Sequence, residues 1–285
     1  MMAGATVSKD SKDRAALGRL NKDMFELYAQ AIAKTARETH TDPPIVIVQS
    51  NPVELGVHIF AKHLGDRRRV LAAAAWSDTL RFRRELATTM GVSPTQVYAF
   101  MLGQHGQHLV PIWSQIHVRG ASMTKVSKNQ QIAALRQNRP LSRFAQETET
   151  HKTNMLQLIQ EDQIYEAYEY VQSLPPDLRA AIKPFFVHFT AGRTTEMATA
   201  HAVVDLLQAF LRGKHLVVPA QVLLEDDEYL EDLSGGVLGV PVVLSPNGWE
   251  QVYKIPLAPD ERDALKSAQT AIAQSIQAFV EVPSE

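Results

Sequence analysis

The stretch LGQHGQHLVPIW, Leu102 to Trp113, sets His105 between two glycines directly after an apolar run. Gly103 and Gly106 permit the tight or left-handed backbone of a strand-end loop, and loops held by a rigid scaffold are where reactive side chains usually lie. A histidine there is suited to acid–base work, because imidazole titrates near neutrality; a surface or turn histidine is the plainer reading. Earlier in the chain, Asp78 and Arg81 stand three residues apart, on one face of a helix. That spacing suits an exposed ion pair of little energetic weight. It equally suits an aspartate that orients a histidine, beside an arginine that grips a carboxylate through two parallel hydrogen bonds. Asn51, just past the run IVIVQ, is placed either to cap the next helix or to meet a ligand at a strand's carboxyl end. No HExxH occurs, and His105 with His108 lacks a third ligand at sensible spacing, so no metal site is expected. Neither a P-loop nor a GxSxG elbow is present.

The elements that must position these residues are readable from periodicity. Apolar residues Leu17, Leu20, Met24, Leu27, Ile32 and Ala36 recur at helical spacing from Arg14 to Thr39. After Thr41-Asp-Pro-Pro44, the β-branched run Ile45 to Gln49 reads as a strand buried on both faces of a parallel sheet. Pro52 fits a helix start, and a helix follows from about Val53 to Leu64. Ser77 to Thr89 reads as a helix carrying Asp78, Arg81, Arg83 and Arg84. Gln96 to Leu102 and Val110 to Val118 read as an antiparallel pair of strands. Thr124 to Phe189 is rich in helix formers and punctuated by prolines, which predicts several helices. Ala198 to Leu211 is helical, Val217 to Leu224 and Gly236 to Leu244 are β-like, and a strand WEQVYKIPL follows the turn Ser245 to Gly248. Pro259-Asp260-Glu261 opens a closing helix, its acidic residues complementing the helix N-terminus.

The whole chain narrows the classes of function. Its 285 residues, 45% hydrophobic, are enough for one large domain or two ordinary ones. Lys+Arg 29 against Asp+Glu 31 leaves a formal charge of -2, so no global field favours nucleic acid or an anionic membrane. There is no cysteine, which excludes disulfides, thiolate metal sites and cysteine nucleophiles. Apolar runs such as Val70 to Trp76 fall far short of the ~20 residues of a spanning helix, and MMAGATVSKDSKD lacks a signal-peptide core. A soluble, cytoplasmic protein is expected, with no nucleic-acid or membrane partner.

Taken together and in order, AGATVSKDSKDRAALGRLN, IVIVQSNPVE, SDTLRFRREL, LGQHGQHLVPIWS and GVPVVLSPNGWEQVYKIPLAPDERDALKSA resemble the L-lactate/malate dehydrogenase family, from Ala3 to Ala121 and from about Thr194 to the end. The resemblance implies an α/β plus α+β fold: an incomplete Rossmann-type parallel sheet in a remnant dinucleotide-binding domain, 1–52, followed by a substrate domain with antiparallel strands, 53–285. It also implies reversible hydride transfer between NAD and a small 2-hydroxy or 2-keto acid. By position, His105 resembles the catalytic proton donor and acceptor, Asp78 its partner, Arg81 the substrate-carboxylate arginine, and Arg14 the mobile-loop arginine that polarises the carbonyl. Asn51 resembles the asparagine between substrate and nicotinamide, Asn21 a cofactor-side asparagine, and Thr195, or its neighbour Thr194, the substrate-side threonine. A homodimer or tetramer, built through helices such as Ala15 to Thr35 and the segment after Asn51, is implied as well.

The match has departures. MMAGA looks like the end of a family strand that follows the first nucleotide-binding half, and no GxGxxG occurs. Loss of parallel strands would expose the flank of IVIVQ, so a longer native protein is expected. A genuine internal start would instead favour a non-catalytic family member serving as a binding or assembly protein. Thr6 and Val7 stand where dicarboxylate-preferring relatives carry an arginine, with Lys9 or Lys12 the nearby cations. Gln104 and Gln107 replace the usual acidic residues beside the histidine. The segment from about Lys125 to Gly192 resembles the family poorly, and reads either as a tolerated surface insertion or as extra helical packing for an oligomer or partner contact.

Overall fold

The computed structural model describes residues 14–120, 125–191 and 196–280. Helix α1 (Arg14–Glu38) buries Phe25, Ala29, Ala33 and Ala36. These recur every three or four residues, and the small alanine side chains let the helix lie close on its neighbour. The inward face therefore differs from the stripe the sequence suggested: Leu20 and Leu27 point outward, 67% and 65% exposed.

Strand β1 (Val46–Val48) is buried throughout, as expected for its β-branched run, although it stands at one end of the described sheet, and helix α2 (Val53–Leu64) follows it. Strand β2 (Val70–Ala72) and helix α3 (Ala74–Met90) divide the apolar run Val70 to Trp76 between them. The sequence reading did not resolve that strand, because a short apolar run has no period to tell strand from helix. Strands β3 (Val97–Gly103) and β4 (Leu109–Val118) form the expected antiparallel pair.

Four helices fill the middle of the chain, α4 (Lys125–Arg136), α5 (Phe144–Gln160), α6 (Ile164–Ser173) and α7 (Pro176–Ala191). Helix α8 (Glu196–Leu211), strands β5 (Val217–Leu224), β6 (Gly236–Ser245) and β7 (Gly248–Val252), and helix α9 (Pro259–Val280) complete it. Strand β7 stops well short of the predicted Leu257. Tyr253 still donates to Pro241 O at 2.8 Å, but Pro256 has no N–H to continue a ladder.

Among the described residues, one mixed sheet contains seven strands, in the order β1-β2-β5-β6-β3-β4, with β7 also paired to β6. Among these pairings β1 with β2 is parallel and the others are antiparallel. The fold is thus α/β at its N-terminal part and α+β beyond, and the sheet runs without a break across residue 52.

Helix α3 is tied down on two sides. Toward the sheet, Thr79 Oγ1 accepts from Met101 N at 2.9 Å and donates to Met101 O at 3.3 Å. Arg83 Nε donates to Ala99 O at 3.0 Å, and its guanidinium lies 5.0 Å from the Trp76 ring. On the other side α7 packs through buried Arg179, whose five N–H donors are all engaged: Nε with Glu85, Nη1 with Gln172 O and Leu174 O, Nη2 with Glu85 O and Thr89 Oγ1. Lys183 completes the neutralisation of Glu85 at 2.7 Å. Within the middle segment, residues 176–182 of α7 are buried, so this part packs into the core.

Candidate active site

The loop after β3 turns on Gly103, whose φ of +86° favours glycine and whose Cβ would stand 2.4 Å from His108 O. Gln104 N donates to that same carbonyl at 3.0 Å and closes the loop. His105 is held from behind by Glu54, whose Oε1 accepts from the His105 backbone N–H at 2.7 Å. Glu54 lies in the first turn of α2 and is 2% exposed. Sequence reasoning passed over it; the available signal was an acidic residue two positions after Pro52, in the first turn of a helix.

The His105 ring meets Asp78, with Nδ1 and Oδ2 2.7 Å apart. An ionised carboxylate only accepts, so Nδ1 carries the proton and Nε2 is the other working atom of the ring. The second oxygen, Asp78 Oδ1, accepts from Arg81 Nη1 at 2.7 Å. The side chains of Asp78, Arg81 and His105 are 6%, 16% and 24% exposed, so this is no solvated surface pair. Burial alone would raise the Asp78 carboxyl, but His105 and Arg81 together hold it below its ordinary value. The arrangement supplies an oriented imidazole with one partly accessible edge, a fixed negative charge behind it, and a guanidinium alongside.

A second polar contact joins α1 to the loop after β1. Asn21 is fully buried and donates from Nδ2 to Asn51 O at 2.6 Å. Asn51 itself is exposed and does not cap α2, whose N-cap is Pro52 with no side-chain cap bond. The structure thus joins His105, Asp78 and Arg81 in one cluster and Asn21 with Asn51 in another. Arg14 begins α1, but its side chain lies outside what the structure describes, as do Thr194, Thr195, Lys9 and Lys12.

Among the described residues no group of His, Asp and Glu could hold a metal ion, and no helix is long and apolar enough to cross a membrane. A cavity of about 440 Å³ lies elsewhere, between β4, α4 and the start of α9, lined by residues including Trp113, Arg136, Arg139 and Glu261.

Comparison with known proteins places these features in a context. The model of the "lactate/malate dehydrogenase, alpha/beta C-terminal domain" family matches residues 187–282. An L-lactate dehydrogenase of Gloeobacter violaceus is 25% identical over 275 residues, covering 96% of this chain and 70% of the relative. Malate dehydrogenase 1 of Aquifex aeolicus is 23% identical over 265 residues, covering 91% of this chain and 67% of the relative. Among solved structures, a Cryptosporidium parvum lactate dehydrogenase, complexed with lactic acid and β-nicotinamide adenine dinucleotide, superposes with a TM-score of 0.70 at 24% identity, covering 98% of this chain and 75% of that one. The chain spans about two thirds to three quarters of the length of these relatives.

Proposed function

We propose that this chain, similar to lactate and malate dehydrogenases over most of its length, serves reversible hydride transfer between a small 2-hydroxy acid and NAD, with His105, Asp78 and Arg81 as its substrate-side machinery. One observation carries the reading: buried Asp78 bridges the ring Nδ1 of His105 and Nη1 of Arg81, each at 2.7 Å. That is the arrangement a proton transfer beside a carboxylate substrate requires.

In the direction of keto-acid reduction, His105 Nε2 gives its proton to the substrate oxygen as hydride reaches the carbon, and the ring is left neutral. In the reverse direction Nε2 takes the hydroxyl proton. Asp78 keeps the proton on Nδ1 and stabilises the imidazolium without itself becoming protonated. Arg81 binds the substrate carboxylate, for which a planar guanidinium is better suited than an ammonium. Arg14 polarises the carbonyl and Thr195 completes the substrate side.

NAD supplies or accepts the hydride when bound. The residues at its nicotinamide end fit: Asn51 is exposed at the carboxyl end of β1, held by buried Asn21, and nearby Gln49 carries a buried Nε2 without a partner. The sequence has no GxGxxG turn, so the residues present account for the nicotinamide and substrate half of a dinucleotide site. In this reading 1–52 belong to the dinucleotide-binding domain and 53–285 to the substrate domain. A homodimer or tetramer through α1 and α2 completes the proposal.

The test is oxidation of NADH with pyruvate and with oxaloacetate. Turnover of one or both is expected, and His105→Gln should lower it by about three orders of magnitude or more. Turnover that survives His105→Gln, or NADH binding with no turnover of either acid, would sink the proposal.

A further inference from the structure

A single row crosses the sheet from one polar cluster to the other. Val48 pairs with Ala72, Ala72 with Gln221, Gln221 with Gly239, and Gly239 with Gly103. Its first residue lies just before Asn51 and its last just before His105, while Ala72 leads into α3 and Asp78.

Two central members of this row touch the start of α3. Helix α3 has Ala73 at its N-cap and no side-chain cap from its own sequence, which leaves first-turn N–H groups in need of acceptors. Gln221, fully buried, provides one from across the sheet: its Oε1 accepts from Ala75 N at 3.1 Å. The other end of the amide, Nε2, is buried without a hydrogen-bond partner. A methionine would fill similar space with no orphaned donor, so general packing does not explain an amide here. Gly239, beside Gln221, lies against both halves of the candidate site. A Cβ on it would stand 2.5 Å from Gly103 O, at the end of β3, and 3.4 Å from Ala75 Cβ, in α3.

We propose that Gln221 and Gly239 are positioning residues that together set the spacing between α3 and the end of β3, and with it the contact between His105 and Asp78. Asp78 lies three residues beyond Ala75, less than one helical turn, so a displacement of the first turn passes directly to its carboxylate. The 2.7 Å contact tolerates little, since about 1 Å of separation takes it out of hydrogen-bond range. Gln221 draws α3 toward the sheet, and Gly239 allows β3 to come close on the other flank.

The experiment compares Gln221→Met, which keeps the length and removes the acceptor, Gln221→Glu, which keeps an acceptor, and Gly239→Ala. The first readout is the downfield imidazole N–H proton of His105 in the NMR spectrum, assigned by its disappearance in His105→Gln. It reports the bond to Asp78 and needs no turnover. We expect it in the wild type and in Gln221→Glu, and expect it lost or broadened in Gln221→Met and Gly239→Ala while circular dichroism shows a folded protein. A purely structural role would lower the melting temperature and leave the resonance in place. Its persistence in either folded variant, or its loss in Gln221→Glu, overturns the proposal. The second readout is turnover per folded molecule, which should fall about 10- to 100-fold in Gln221→Met and Gly239→Ala. The kinetic arm rests on the dehydrogenase reading, whereas the NMR arm does not. A wild type with the resonance but no turnover counts against the enzyme alone; active, folded variants that keep both count against the positioning role alone.

Discussion

Asp78 is asked to remain charged while buried, and its neighbours explain how it does so. Its folded-state pKa lies below the ordinary value of 3.8, because His105 and Arg81 outweigh the cost of burial. The sign follows from linkage: the contribution to stability is fully present above the unfolded value and is lost as pH falls through the lower folded value. Asp177 acts oppositely, since burial raises its carboxyl despite Arg139, so the wild-type acid limb is a sum of unlike parts. Denaturation at several pH values should therefore show that Asp78→Asn removes part of the stability that the wild type loses as pH falls below the ordinary carboxylate range. The same variant leaves His105 without a charged partner, and turnover should fall by about four orders of magnitude with the protein still folded. An unchanged acid limb, or near-normal turnover, would contradict this account. The local types and spacing of His105, Asp78, Arg81 and Asn51 left plainer readings open, and the family resemblance singled them out; the structure brings His105, Asp78 and Arg81 together. Glu54 and Gln221 were not legible in the sequence, because what each does is visible only from the element it meets across the sheet.

Helix α3 shows what the elements contribute. Most of its span, Ser77 to Thr89, was readable from its own period, though its first turn from Ala74 was not; the antiparallel pairing of β3 with β4 was readable as well. What holds it was not readable: Gln221, Arg179 and Met101 come from three other parts of the chain. Strand β2 escaped the sequence reading because a three-residue strand running into alanines has no alternation, and β7 was overextended because Pro256 interrupts pairing without interrupting apolarity. The clamp between α7 and α3 carries its own expectation. Arg179→Met would leave Glu85 buried with Lys183 as its remaining cation, and losing one partner of a buried pair typically costs about 3–5 kcal/mol. Urea denaturation measures this directly. A loss below about 1 kcal/mol would mean that Lys183 alone suffices and that α7 is not an important brace.

At the scale of the whole molecule, α1 presents two faces. Phe25, Ala29 and Ala33 pack inward, while Leu20, Leu27 and Tyr28 are 67%, 65% and 40% exposed. Leu20 and Leu27 are two helical turns apart and so lie on one face. If the protein assembles through α1, Leu20→Glu with Leu27→Glu should reduce the assembly to single chains in analytical ultracentrifugation, with little change in circular dichroism. A wild type that sediments as a monomer at micromolar concentration, or a double variant that stays assembled, would remove α1 from the interface. The sheet order has another consequence, one of timing. His105 and Asp78 are 27 residues apart, but Gln221 is 146 residues beyond the Ala75 amide that it meets, and β5 and β6 lie between β2 and β3. During synthesis, the pair that would do the chemistry leaves the ribosome long before the strands that frame it. Distant pairings form slowly, so the site can be completed only near the end of folding, and a nascent chain released before Gly239 would carry every reactive side chain named above without the strand that completes the frame between α3 and β3.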